Sequence, residues 1–166
     1  MSDTVRERVM VALQAALSAA LVVPPSGPRL ATVERNALAP ADLSALTPPE
    51  WVGLWDGAHE VAEDLGPQGK RCRLTLDVDL AVGAAIADSG DLAIGPKLNR
   101  LYGRTIAALA ADLTLGGLVL AVLEVAFNEV AVNVDQGAAP SASGVLTLTV
   151  DFAVSATDPT AVAGGV

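Results

Sequence analysis

The run Arg71-Cys-Arg-Leu-Thr-Leu-Asp-Val-Asp-Leu-Ala-Val82 decides the fold. Cys72, Leu74, Leu76, Val78, Leu80 and Val82 fall on one side of an extended chain, and Arg71, Arg73, Thr75, Asp77 and Asp79 on the other. Unbroken period-two alternation marks a strand with one face on a core and one toward water. Val145 to Val154 repeats it, with Leu146, Leu148, Val150, Phe152 and Val154 inward and Thr147, Thr149 and Asp151 outward.

Between these strands the period changes. From Pro96 to Asp112, apolar residues stand at Leu98, Leu101, Tyr102, Ile106 and Leu109, with Leu113 just beyond, the spacing of one buried helical stripe. Pro96 suits a first helical turn, and Gly116-Gly117 is a structural turn that predicts positive φ and the end of the helix. A second helix is expected over Thr4 to Leu21, opened by a capping box of Thr4 and Glu7 and closed by Pro24-Pro25. Val9 to Val23, preceded by Arg6 and Arg8, also resembles a signal-peptide core. Asp3 and Glu7 in the basic region, and the recurrence of Glu7, Gln14 and Ser18 on one side, favour a packed amphipathic helix.

The remaining segments fill in around them. Arg29 to Glu34 reads as a short strand and Asn36 to Glu50 as an ordered surface loop. Trp51 to Trp55 is a strand with Trp51, Gly53 and Trp55 on one face, closed by Asp56-Gly57. Glu60 to Gly69 reads as acidic and turn-rich, and Ala84 to Gly95 as a small-residue loop. Leu118 to Val134 is β-prone, but its alternation slips between Phe127 and Val130, which predicts a bulge or break. Gln136 to Gly144 reads as a mobile loop. The order predicts an α+β single domain over residues 1–158, a mostly antiparallel sheet with two main helices on one side, and a flexible tail at 159–166.

Composition limits what such a domain does. Hydrophobic residues are 52% of the 166 residues while aromatics are only 3%, and the mean hydropathy is +0.48. Ala, Val and Leu in that excess either span a membrane or hide against other subunits. Leu113 to Leu123 is about half a membrane span and is broken by glycines, so subunit contact is the expectation. The net charge of -9, with ten basic residues in no patch, argues against nucleic-acid binding through phosphate neutralisation. A single cysteine, Cys72, excludes an internal disulfide and multi-cysteine metal sites.

No constellation declares a reaction. His59 is the one histidine and follows a turn; Cys72 alternates with core residues, as an inert buried thiol does. Asp77 and Asp79 lie about 7 Å apart on one strand face and could hold a divalent cation, yet no third ligand stands near in sequence. Solvation, or ion pairs with arginines of a neighbouring strand or subunit, explains them as well. Gly116-Gly117 follows a helix, whereas phosphate-cradling loops precede one. The expectation is a non-enzyme without cofactor or metal.

Taken together, the chain resembles the tail terminator, or tail-completion, family of long-tailed bacteriophages. The resemblance rests on the amino-terminal helix, Val33-Glu-Arg-Asn36, Trp55-Asp-Gly57, Gly95-Pro-Lys-Leu-Asn99, Asp112-Leu-Thr-Leu-Gly-Gly117, and the closing strand with Ala156-Thr-Asp-Pro-Thr-Ala161. Ala/Gly-rich inserts are the departures. It implies a structural virion protein, a homo-hexameric ring on the head-proximal end of the tail tube, assembled in the host cytoplasm. Such a ring ends tube polymerisation and offers a surface to head-completion or neck proteins, while genome DNA passes its channel without specific binding. Subunit-interface or channel candidates are Arg71, Arg73, Asp77, Asp79, Glu124, Glu129 and Asp135. The alternatives are a head-tail connector or another tail component, and, third, an enzyme or ligand carrier with an unrecognised site.

Overall fold

A computed structural model describes residues 3–21, 31–39, 43–46, 48–84, 94–133 and 140–163. Two helices, α1 (Val5–Leu21) and α2 (Ile94–Ala110), pack on one face of a six-stranded sheet. The strands are β1 (Thr32–Arg35), β2 (Glu50–Leu54), β3 (His59–Asp64), β4 (Lys70–Gly83), β5 (Ala121–Asn133) and β6 (Ser141–Val154). Their order is β1-β2-β4-β6-β5, with β3 continuing along the same edge of β4 as β2. All pairings are antiparallel except β1 with β2. The α+β architecture expected from the sequence is the one found.

Two 14-residue strands form the spine. β4 and β6 pair from Lys70↔Val154 to Gly83↔Ser141 without a shift. Their inward side chains, Leu74, Leu76, Val78, Leu80, Leu146, Leu148, Val150 and Phe152, are at most 1% exposed. Each such aliphatic side chain contributes about 1.5–3 kcal/mol of burial. Val5, Val9, Leu13 and Leu17 of α1 and Leu98 and Leu101 of α2 complete that layer. The Thr4 hydroxyl accepts the Glu7 N–H at 3.2 Å, which supplies half of the expected capping box; the Glu7 carboxylate goes to Arg35 instead.

The structure departs from the sequence expectations in five places. Residues 59–64 are a strand, not a turn-rich segment, and every residue of β3 is exposed. The main-chain ladder to β4 holds it, so burial leaves no signature in its composition. β6 begins at Ser141, inside the expected loop, because Ala142 and Gly144 are small enough to be buried under their neighbours. β5 carries two register shifts rather than one, between Glu124 and Ala126 and between Glu129 and Ala131. Helix α2 stops at Ala110, before Gly116-Gly117: the Asp112 carboxylate accepts the Thr114 N–H at 3.0 Å and the Gly116 N–H at 2.6 Å, and so ends the helix itself. Finally, Thr160 to Ala163 is not a free tail. The Ser155 N–H donates to the Ala161 carbonyl, the Ala163 N–H to the Ala153 carbonyl, and Ala163 is 7% exposed.

Candidate functional site

The outward face of the sheet carries the charges that the sequence singled out, and register decides how they pair. Arg73 lies opposite Asp151, so its guanidinium reaches that carboxylate at 2.9 and 3.2 Å. Arg71, two residues earlier on the same face, donates from Nη2 to Oδ2 at 2.8 Å, an oxygen it shares with Arg73. The Asp151 side chain is only 6% exposed between arginines that are 40% and 44% exposed. Hydrogen bonding from Arg73, with Arg71 adding to it, holds the Asp151 carboxyl below the usual range against the opposing effect of burial. Asp151 reads in the sequence as one more outward polar residue. Its role appears only when β4 and β6 are aligned.

Asp77 and Asp79 each accept a hydrogen bond from a neighbouring side chain. Asp77 accepts the Thr147 hydroxyl at 2.8 Å, and Asp79 accepts the Trp55 indole N–H at 2.7 Å. Among the described residues no group of three His, Cys, Asp or Glu side chains is arranged to hold a metal ion. The four charges that nominated this face are therefore engaged with Asp151 and Thr147 of β6 and with Trp55 just after β2, while Arg73 and Asp77 remain exposed.

A second ionic centre joins three elements. Arg35, at the end of β1, makes a two-pronged contact with Glu7 of α1 at 2.6 and 2.8 Å and another with Asp56, after β2, at 2.7 and 2.8 Å. A planar guanidinium can serve two carboxylates at once in this way, which an ammonium cannot. The Arg35 hydrogen bonds lower both carboxyl pKa values. The Trp55-Asp-Gly57 segment and Arg35 of Val33-Glu-Arg-Asn36, far apart in sequence, meet at this point.

The edge strand β5 holds the remaining candidates. Glu124 accepts the Tyr102 hydroxyl at 2.6 Å, which raises the Tyr102 pKa. Phe127 stacks on Tyr102 with ring centroids 4.4 Å apart. Glu129 is exposed on the same strand. Asp135 lies outside the described residues. Leu123 and Val125 are 52% and 59% exposed, and among the described strands β5 pairs only with β6. Gly116 and Gly117 have φ of 72° and 82°, as the turn reading expected, and Leu115 shares the left-handed region at 49°.

His59 and Cys72 come nearer to each other than sequence spacing suggested. His59 faces Leu74 across the ladder and Cys72 faces Val61, so the two are diagonal neighbours on the helix-side face. Burial raises the Cys72 pKa, which leaves the thiol protonated and a poor nucleophile. No described helix is long and apolar enough to cross a membrane. The chain matches no protein-family model, and no curated protein matches it.

Proposed function

We propose that this chain is a structural component of a phage tail, a tail terminator whose six copies close a ring on the head-proximal end of the tail tube. The resemblance over most of the chain supplies the identity of the ring. The observation that carries assembly is β5: a 13-residue strand at the end of the sheet order, with Leu123 and Val125 more than half exposed. A long edge strand bearing apolar side chains is a pairing hazard unless something covers it. In a head-to-tail ring the β5 edge of one copy meets a different surface of the next, and closure leaves no copy uncovered. Glu124 and Glu129 then lie at or beside the interface, and the Arg71, Arg73, Asp77, Asp79 face lines the interface or the channel.

In this account the tube protein binds one ring face and a neck protein the other, with genome DNA passing between them unbound. The test is mass in solution. Six chains of 16.7 kDa give about 100 kDa (6 × 16.7). Light scattering or native mass spectrometry of the purified chain should find that species. L123D with V125E should abolish it while leaving the circular dichroism of the monomer unchanged, since both side chains are exposed. A ring that persists in this variant would remove β5 from the interface.

A further inference from the structure

We propose that the cleft at the Lys70 end of the sheet binds a carboxylate carried on an apolar body. This goes beyond the ring assignment and does not depend on it. The cleft, about 440 Å³, lies among the start of α1, the exposed strand β3, and the segment that follows β6. That volume is in the range of small-ligand pockets.

Its floor is apolar. Phe152 and Val154 of β6 line it beside Cys72, and Val61 stands 53% exposed on the same side of β3. Its charge runs against the rest of the molecule. In a chain of net charge -9, the cleft is lined by Arg6, Lys70 and the one histidine, His59, whose ring centroid is 6.3 Å from that of Phe152. The one carboxylate among the described lining residues, Asp158, is turned to its own turn: it accepts the Thr160 N–H at 2.8 Å and the Thr160 hydroxyl at 2.7 Å.

Arg6 supplies the second, independent observation. Its Nη2 donates to the Gly57 carbonyl at 2.7 Å, while its Nε is buried with no hydrogen-bond partner. The Gly57 contact fixes the guanidinium at the cleft wall, where its remaining N–H groups can meet a carboxylate. Burial keeps the Cys72 thiol neutral, so it adds no negative charge to the cleft. An inorganic anion would leave Val61 and Val154 bare, and an uncharged apolar ligand would leave the positive side of the cleft unused. A carboxylate with an apolar body meets both. Such a group comes from a free organic acid or from the carboxy-terminal end of a polypeptide.

The single histidine gives one imidazole Cε1–H resonance, a reporter inside the cleft. The full chain is titrated with phenylacetate, phenylacetamide, and an N-acetylated tripeptide ending in leucine, as the free acid and as the amide. The acids are expected to move this resonance saturably with a Kd below about 10 mM, and the amides to bind about tenfold or more weaker. Lys70→Gln, at an exposed position, should leave the fold intact and weaken the acids by roughly threefold to tenfold. Tighter binding of the peptide acid identifies a chain end as the source, and tighter binding of phenylacetate a free acid. No saturable shift with either acid, or an amide that binds as well as its acid, overturns the proposal.

Discussion

The Trp51 indole lies over Gly53, so close that a Cβ on Gly53 would stand 2.0 Å from its Cη2. The indole is 1% exposed, and its N–H donates to Glu34 of β1 at 2.9 Å. One outward-facing tryptophan thereby ties β2 to β1, and the residue two positions on must have no side chain. Gly53→Ala must displace the ring or the strand and should destabilise the fold by about 2–3 kcal/mol in urea unfolding. A loss under about 0.5 kcal/mol would mean that the indole moves freely.

The position of Asp151 makes a different prediction. Asp151→Asn leaves two guanidinium groups facing a neutral amide and should cost about 2 kcal/mol, a figure kept low because both arginines are about 40% exposed. Arg71→Gln alone should cost less, since Arg73 keeps its two contacts with the carboxylate. A double-mutant cycle between Arg73 and Asp151 measures the coupling.

Acid sensitivity follows from the same group and from Arg35. Glu7, Asp56 and Asp151 all have carboxyl pKa values lowered in the folded state. A lowered folded pKa means that the unfolded chain binds more protons, so this stability is complete above the unfolded values near pH 4 and is lost as pH falls through the folded ones. Unfolding free energy should be flat from pH 7 to about 5 on account of these groups and decline below about pH 4. In Arg35→Met, where Glu7 and Asp56 lose their shared partner, the decline should be shallower and start from a lower plateau.

Much of this fold is written in periodicity. The alternation of β4 and of the second half of β6 is strict, because one face is core and the other solvent, and α2 keeps its apolar stripe for the same reason. What escaped has equally physical causes. β3 is exposed on every residue, so no burial pattern exists to read. Ser141 to Gly144 pack by being small, which leaves no amphipathic trace. The bulges at Val125 and Val130 reverse the face twice and blur the alternation of β5. Asp151 and Arg35 matter through partners 78 to 80 and 21 to 28 residues away, and only register reveals those.

At the turn after α2, Gly116 and Gly117 have positive φ, and nothing lies within 4 Å of where a Cβ would be. Alanine at either position should therefore cost backbone strain alone, about 1 kcal/mol each, with no packing change. A thermal-unfolding comparison of the two single variants with the double one should find the costs nearly additive.

The electrostatic side of the ring role is open to a binding assay. In the proposed ring, six copies would carry a formal charge of 6 × -9, about -54, and a channel that lets duplex DNA slide must not release its counterions. Fluorescence anisotropy near physiological salt should detect no association of the isolated protein with duplex DNA. Micromolar affinity would contradict a non-adhesive channel.

Electron microscopy of tails assembled with and without this chain tests the terminator role most directly. With it, tubes should end at their head-proximal tip in a six-fold ring, and heads should join. Without it, tubes should lack the ring, run to irregular lengths and stay unjoined. Tails of uniform length that join heads normally in its absence would contradict the account.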